Sequence, residues 1–322
     1  MKISYGTHEN IAKNIIFSDG IARSGKSTFA NVISSLERTE HIRFYYLLEQ
    51  VIPAVGLGTL DPAYARSLIR LSMNEMAYDM RLARNANFRH TDQTGIWNYK
   101  YPKLYFERLQ KEEGDTIVDE LRNSNSYTPI TSHDLMVNLE FLNLLEIDYH
   151  MIEWYRHPVD NIYSWWTRGW GERFLNDPRG FTLSLAYKNQ LVPWYCAGYE
   201  QEWLSLNPAE RCVRIGLDLI GRAVLQQKKA SNLERIHTIT FEDFVTHPHQ
   251  ELQKICAFLD TAATPSTERY IKEARCPRIL DPRARVEKLK EFKNNVRPAL
   301  YDQLVEFSHQ YEHDLYGLKS VL

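Results

Sequence analysis

The chain has 322 residues, of which 43% are hydrophobic and 25% are charged, a balance typical of a globular protein with a sizeable core. Its formal net charge of −2 gives no overall attraction to nucleic acid or to an anionic membrane. The longest apolar runs fall well short of the roughly 18 residues that a membrane span requires, and residues 1–6 lack the apolar core of a signal peptide.

The cysteines form neither a CxxC pair nor a zinc-binding pattern, so we expect reduced, partly buried thiols. They are Cys196, Cys212, Cys256 and Cys276. A cytosolic protein is the simplest interpretation, and a luminal domain trimmed of its anchor is the alternative. Length alone would allow two domains, but with no repeat and no low-complexity linker we expect one α/β domain over residues 1–322.

The first predicted element is a buried strand at residues 15–17, followed by a loop framed by glycines and then a helix. The loop residues Gly20, Gly25, Lys26 and Ser27 fit the pattern G-x-x-x-x-G-K-S/T. In such a loop the backbone N–H groups and the positive end of the helix dipole point at an anion. The sequence therefore predicts a phosphate-binding loop, with an ordinary turn that contains glycines as the alternative. The apolar stripe of the helix is Phe29, Val32, Ile33 and Leu36.

Further elements alternate between strands and helices along the chain. We predict strands at 43–49, 127–132, 149–155 and 236–241, helices at 64–84, 113–122, 134–145 and 251–259, two long helices over 182–230 broken near 193 and 207–208, and a terminal helical region at 285–312. The first of these strands runs into a loop with Gly56, Gly58 and Pro62, and residues 85–102 and 165–180 are loop-like.

The alternation predicts a mainly parallel sheet flanked by helices on both faces, of the P-loop-containing nucleotide-binding type. Ligands of such sheets bind beyond the carboxyl ends of the strands. The loops after residues 17, 132, 155 and 241 should therefore form the site.

The end of the predicted strand at 149–155 helps to identify the phosphate ligand of the loop. Nucleoside triphosphate enzymes place an Asp at a strand end to hold magnesium, but this strand ends in Arg156, and Glu153 is a weak substitute. A strand-end Arg and the helical Ser164 could converge on a second phosphate. An ion pair of Arg156 with Asp160 is the alternative.

Three stretches together resemble the sulfotransferases that use 3′-phosphoadenosine 5′-phosphosulfate (PAPS). They are residues 20–28, residues 156–164 (Arg-His-Pro-Val-Asp-Asn-Ile-Tyr-Ser) and residues 240–244 (Thr-Phe-Glu-Asp-Phe). That family has a loop of the type Tyr-Pro-Lys/Arg-Ser-Gly-Thr-Thr for the 5′-phosphosulfate, an Arg-x-Pro-x-Asp-x-x-x-Ser stretch for the 3′-phosphate, and a later strand ending in Tyr-Glu-Asp-Leu. All three occur here in the same order and span most of the chain.

The resemblance implies that Arg23, at the position of the family's loop Lys or Arg, neutralises charge on the 5′-phosphate as the sulfuryl group leaves. Lys26 stands where Thr is usual, and this departure makes the loop also read as an ATP-binding loop. Phe241 replaces a Tyr that touches the adenine in some members, and Arg278, with Arg283 and Arg285, could close over the 3′-phosphate. The other implied loop donors are Ser24, Gly25, Ser27 and Thr28.

Transfer to an alcohol requires a base for the hydroxyl proton. The resemblance implies His133, because the family's cytosolic members carry a His at nearly the same distance before the strand-end Arg. Glu49 is the rival, since protein-tyrosine and heparan-type members use a Glu after the first helix. The family's Lys two residues before the His is Thr131 here, so its role passes to Lys26 or Arg23, or is absent. A structural histidine and a solvated surface glutamate are the alternatives.

Aromatic and cationic residues in two loop regions suit a sugar, phenol or peptide acceptor, although core packing explains Trp165 and Trp166 at least as well. The group comprises Trp97, Tyr99, Trp165, Trp166, Arg168, Trp170 and Arg173. The combined prediction is sulfuryl transfer from PAPS to a hydroxyl or amine of a small-molecule, carbohydrate or peptide acceptor, by in-line displacement without an essential metal. A P-loop kinase using ATP and magnesium is the alternative enzyme, and a non-catalytic nucleotide-binding protein is the alternative outside enzymes.

Overall fold

The computed structural model describes residues 4–173 and 177–315. The strands are β1 (Ile15–Asp19), β2 (Arg43–Phe44), β3 (Thr128–Thr131), β4 (Tyr149–Tyr155), β5 (Ser184–Tyr187), β6 (Gln190–Pro193) and β7 (Ile236–Thr240). The helices are α1 (Lys26–Ser34), α2 (Tyr46–Gly56), α3 (Pro62–Arg81), α4 (Lys103–Arg108), α5 (Asp115–Asn123), α6 (Leu139–Asn143), α7 (Pro158–Trp166), α8 (Trp170–Arg173), α9 (Glu200–Ser205), α10 (Pro208–Lys229), α11 (Phe241–Thr246), α12 (Pro248–Phe258), α13 (Pro265–Glu273), α14 (Pro282–Asn295) and α15 (Pro298–Gln310).

Five strands form one parallel sheet in the order β2-β3-β1-β4-β7. Parallel strands need crossover segments, and here helices supply them. The predicted parallel sheet flanked by helices is confirmed. Because all five strands run the same way, their carboxyl ends meet along one edge, where α1 and α7 begin.

Both faces of the sheet are buried, which explains why β1 and β4 read as nearly continuous apolar runs. Successive side chains of a strand point to opposite faces. Phe17 and Met151 accordingly belong to one core cluster, and Ile16 and Trp154 to the other. In the second cluster the Phe29 ring of α1 stacks on Trp154 with centroids 5.0 Å apart, which fixes the helix that follows the loop.

The strand predicted at residues 43–49 is wrong beyond its first two residues. Only Arg43–Phe44 pairs with β3, and α2 begins at Tyr46. Aromatic residues favour strands, but Leu48, Val51, Ile52 and Val55 fall at helical spacing and all four are buried. The burial of that stripe overrides the local preference, so Glu49 lies in the first turn of a helix rather than in a loop.

The long helix predicted before residue 207 is also wrong. Residues 184–193 form an antiparallel hairpin of β5 and β6, followed by the short α9. Its two turn residues, Lys188 and Asn189, both have positive φ (45° and 64°), the conformation of a tight two-residue hairpin turn. The second predicted helix is confirmed as α10, which starts at Pro208 behind an Asn207–Glu210 capping box.

The helix predicted from Asp134 begins later, because Asp134 has φ of 63° and cannot take part in a right-handed helix. A short 3₁₀ turn at Met136–Asn138 leads into α6 instead. Among the described residues, no helix is both long and apolar enough to cross a lipid bilayer.

Candidate functional site

The loop between β1 and α1 is bent tightly against its neighbours. Gly20 and Gly25 have φ of 142° and 110°, values that side chains other than glycine rarely adopt. A Cβ at Gly20 would lie 2.4 Å from the Trp154 carbonyl oxygen, and one at Gly25 would lie 2.4 Å from the Phe241 ring. The two glycines therefore let the loop lie directly on β4 and on the start of α11.

Helix α7 fixes the middle of the same loop. The Asn161 side-chain amide and the Trp165 indole N–H both donate to the Ala22 carbonyl, at 3.2 and 2.6 Å. Pro158 opens this helix at its first turn, where a missing N–H costs nothing. The stretch at 156–164 thus supports the loop in addition to supplying its own polar side chains.

Arg156 lies at the end of β4 and contacts the loop. Its Nη1 donates to the Arg23 carbonyl at 3.2 Å, and its guanidinium lies 4.6 Å from the centre of the Phe241 ring. Its Nε is buried and bonds no described residue. The Asp160 carboxylate, considered above as a partner, instead bonds Arg285 at 3.0 Å and Lys288 at 2.6 Å. Burial lowers the pKa of Arg156, and Asp160 opposes that shift.

The Arg23 side chain links the loop to Ser164 of α7. It has a positive φ of 68°, and its Nε donates to Ser164 Oγ at 3.1 Å. Burial lowers its pKa, and the neighbouring cations Arg168 and Arg156 lower it further. Three guanidinium groups close enough to repel one another make this crevice attractive to an anion.

Lys26 faces the inside of the loop. Its side chain is buried, and Nζ donates to the carbonyls of Gly20 at 2.5 Å and Ile21 at 3.0 Å. Burial lowers its pKa, and the carboxyl groups of Asp19 and Asp134 oppose that shift. In this conformation the ammonium stabilises the loop through its hydrogen bonds to the loop backbone.

Buried acids surround that ammonium. Asp19, at the end of β1, accepts hydrogen bonds from Ser132 Oγ and from the Met136 N–H, both at 2.9 Å. Burial raises the pKa of Asp134 to about 8, and burial together with Asp19 raises that of Glu153 well above its usual value. The region beneath the loop, called the floor below, therefore contains the buried cation Lys26 and the carboxyl groups of Asp134 and Glu153. The raised pKa values of these two groups favour their protonated forms.

The two candidate bases, His133 and Glu49, are bonded to each other. Glu49 Oε1 accepts from both the backbone N–H and the Nδ1 of His133, each at 2.9 Å. A carboxylate only accepts hydrogen bonds, so in the neutral imidazole Nδ1 carries the proton and Nε2 the lone pair. The side chain of His133 is 26% exposed, whereas that of Glu49 is 14% exposed, so the imidazole is the more accessible of the two.

A cavity of about 320 Å³, the inner cavity, opens beside this pair. Ser27 lies in its wall, so the cavity reaches the loop between β1 and α1. Asp134 also lines it, with a buried Oδ1 that bonds no described residue. The remaining wall is largely aromatic and comes from α2, α7, α8 and the segment around the hairpin. The volume suits an organic molecule of modest size.

The predicted acceptor residues divide between this wall and other places. Trp165, Trp170 and Arg173 line the inner cavity, with the Arg173 guanidinium 5.1 Å from the Trp170 ring centre. Tyr99 is buried elsewhere and donates to the Thr39 carbonyl at 3.1 Å. The remaining three are Trp97, 38% exposed on the loop after α3, Trp166, packed on Phe292, and the exposed Arg168 near Arg23.

Of the three C-terminal arginines, Arg278 comes nearest to the crevice, 5.7 Å from the centre of the Phe241 ring. Arg285 is bonded to Asp160 and Arg283 to Asp281. The exposed Ser27 and Thr28 lie in the first turn of α1, while Ser24 Oγ is buried and bonds no described residue.

Sequence reasoning missed several cavity-lining residues: Tyr46, Phe181, Trp194, Tyr195 and Asp134. None of them belongs to a recognisable pattern. The helical stripe of α2 was the one available signal, because it places Tyr46 and Glu49 within the first turn of the same helix.

Comparison with known proteins gives a family match over residues 67–277 to the model described as the sulfotransferase domain. The match includes residues 156–164 and 240–244 and begins after the first loop. No curated protein matches the chain by sequence.

Among solved structures, the sulfotransferase domain from the curacin biosynthetic pathway is 17% identical, with a TM-score of 0.43 over 79% of this chain and 76% of that one. The sulfotransferase from Alicyclobacillus acidocaldarius is 15% identical, with a TM-score of 0.39 over 91% and 96% of the two chains.

Proposed function

Because the chain belongs to the sulfotransferase family, we propose that it takes its sulfuryl group from PAPS and transfers it to a hydroxyl or amine by in-line displacement. The observation that carries the proposal is the contact of Arg156 with the loop. Residues 133 positions apart in sequence thereby share one crevice. A ligand with two separated anionic ends, as PAPS has, fits that arrangement.

The unengaged groups of the crevice suit such a donor. Arg156 Nε and Ser24 Oγ are both buried and bond no described residue, and each could donate to a phosphate oxygen. Phe241 lies against Gly25 and against the Arg156 guanidinium, and the small exposed part of its ring could contact an adenine. When bound, PAPS would supply an activated sulfuryl group joined to a phosphate leaving group.

We assign the proton transfer to His133 and the orientation of its ring to Glu49. Glu49 holds the Nδ1–H tautomer, so the lone pair of Nε2 is available to accept the proton of the acceptor hydroxyl. This division of roles joins the two rival bases into one unit, in the way a carboxylate orients the histidine of a hydrolase triad.

Arg23 and Lys26 would balance the charge that develops on the 5′-phosphate. Arg23 reaches Ser164 across the crevice, and Lys26 lies directly beneath the loop backbone. Fixed cations near a developing anion lower the barrier more than mobile solvent does.

A thermal-shift titration with adenosine 3′,5′-bisphosphate tests the donor assignment. The wild-type protein should be stabilised without metal, by about 2.7 kcal/mol at a ligand concentration of 100 times Kd. Arg156→Ala removes a buried, charged donor to the phosphate and should weaken binding by about a hundredfold. The same ligand concentration should then produce little shift.

Arg235→Ala is the matched control, because its side chain is 43% exposed, pairs with Asp148 and precedes β7, at the end of the sheet opposite the site. It should retain the full shift. An undiminished shift in Arg156→Ala would refute the assignment. Stabilisation by ATP with magnesium, but not by the bisphosphate, would instead favour the kinase alternative.

A further inference from the structure

A second cavity of about 490 Å³, the outer cavity, lies next to the inner one. Phe44 and Tyr46 line both cavities, and their rings lie 6.0 Å apart and only 5° from parallel. The roles assigned above to the donor and to the base use no residue that is confined to the outer cavity. Two cavities that share an aromatic wall suit one elongated ligand.

The far wall of the outer cavity is a loop with a defined structure of its own. The Asn87 side-chain amide donates to Asp92 at 3.1 Å and to Thr94 at 2.9 Å. The Ile96 N–H donates to the Asn87 carbonyl at 2.9 Å, and a Cβ at Gly95 would lie 2.3 Å from the Arg89 carbonyl oxygen. A long loop held this firmly is usually functional, and its polar groups are positioned before any ligand arrives.

The same loop is joined to the catalytic side of the molecule. The Gln93 side-chain amide donates to the carbonyl of Ser27, in the first turn of α1. Gln93 lines the outer cavity and Ser27 lines the inner one. A ligand in the outer cavity would therefore contact a wall that is tied to the phosphate-binding loop.

The chemistry of the wall points to a neutral ligand rich in hydroxyl groups. Its polar members offer both donors and acceptors, and the two charged ones are of opposite sign: Arg43, Asn85, Asn87, Asp92, Gln93 and Thr94. Amides and a carboxylate suit vicinal hydroxyls, while the faces of Phe44 and Tyr46 suit the C–H face of a sugar ring. We propose that the acceptor is a carbohydrate chain whose reacting sugar occupies the inner cavity and whose neighbouring sugar occupies the outer cavity.

This inference rests on the proposed sulfuryl transfer and narrows its acceptor. A phenol would fill the aromatic inner cavity and leave the outer one without a function. Phenol and carbohydrate acceptors therefore differ in a measurable way, because only an acceptor with at least two sugars contacts the wall of the outer cavity.

The test compares matched acceptors in a transfer assay with labelled PAPS. A panel of disaccharide methyl glycosides, the corresponding monosaccharides and 4-nitrophenol is assayed with wild type, Arg43→Gln, Asn87→Ala and the control His90→Ala. His90 is exposed on the same loop and does not line the outer cavity. We expect at least one disaccharide to be preferred over its monosaccharide. Its KM should rise about tenfold in Arg43→Gln, as expected for the loss of a hydrogen bond to a bound group. It should also rise in Asn87→Ala, because that change removes the side-chain bonds that hold the loop in place.

The monosaccharide, 4-nitrophenol and the His90→Ala variant should show no such rise. Asn87→Ala could loosen the loop itself, so Arg43→Gln, whose backbone lies in β2, provides an independent reading. Equal KM values for disaccharides in wild type and Arg43→Gln would overturn the proposal, as would transfer to 4-nitrophenol with none to any saccharide. Failure of the bisphosphate to bind would instead overturn the proposed function itself.

Discussion

The proposed donor crevice and the proposed acceptor side of the site are built in different ways. The crevice, at the ends of β1, β4 and β7, comes from three short stretches, each continuous in sequence. The acceptor side, beyond β3 and β2, takes a few residues each from several separate elements: β2, α2, α7, α8 and the segments around residues 133, 181 and 194. Phosphate is recognised by backbone N–H groups and a few cations, which a short pattern can encode. An acceptor is recognised by shape, which needs many distant segments.

The two regions share the floor beneath the loop. Lys26, Asp134 and Glu49 are close enough to influence one another's charge, although Lys26 belongs to the donor loop and Glu49 to the acceptor wall. Substitutions should therefore fall into three groups: those that change donor affinity, those that change turnover, and those in the floor that change the pH dependence of stability.

The largest effect should fall on turnover. His133→Ala removes the proposed base and should lower kcat by about a thousandfold. Glu49→Gln keeps the size of the side chain but no longer secures the Nδ1–H tautomer, so a smaller loss of about a hundredfold is expected. Steady-state transfer assays with labelled donor measure both variants.

The thermal shift caused by adenosine 3′,5′-bisphosphate should be the same in His133→Ala and Glu49→Gln as in wild type. This measurement separates an effect on turnover from an effect on donor binding. If Glu49→Gln lost clearly more activity than His133→Ala, Glu49 rather than His133 would be the base. Unchanged turnover in both variants would remove this pair from the mechanism.

A smaller effect, on donor binding rather than on turnover, is expected for Phe241→Leu. Loss of the ring that packs on Gly25 and Arg156 removes the contact proposed for adenine and should weaken bisphosphate binding by about tenfold. The change in kcat at saturating donor should be slight. Isothermal titration gives the affinity. A loss of kcat with unchanged donor affinity would place Phe241 on the acceptor side and break the division drawn here.

The smallest effect concerns the shared floor and its dependence on pH. The pKa of Asp134 is raised from 3.8 to about 8 on folding, so the folded state holds this proton more tightly than the unfolded chain. The contribution of Asp134 to stability therefore falls as pH rises from about 4 towards 8. Asp134→Asn cannot ionise, and the loss of Tm between pH 5 and pH 8 should shrink by about 2 °C or more.

Asp302→Asn, on the exposed face of α15, is the control and should keep the wild-type pH dependence. A steeper decline in Asp134→Asn than in wild type would mean that the ionised carboxylate stabilises the floor, through Lys26.

Two regions show where prediction from sequence succeeded and where it failed. Strands β1 and β4 were predictable because both their faces are buried and most of their residues are apolar. Residues 43–49 and 184–193 were not, since aromatic residues can serve in a strand or a helix, and a turn at Lys188 and Asn189 carries no glycine to mark it. In each case packing against distant segments, rather than local preference, selected the element.

The sequence by itself determined the strand, glycine-framed loop and helix near the amino terminus, the strand-end Arg156 and the mainly parallel sheet, because these depend on spacing within short stretches. Only the tertiary structure decided that Arg156 contacts the loop, that Glu49 holds His133 and that two cavities meet at Phe44 and Tyr46. Such contacts join residues far apart in the chain, and their geometry is set by how the helices pack on the sheet.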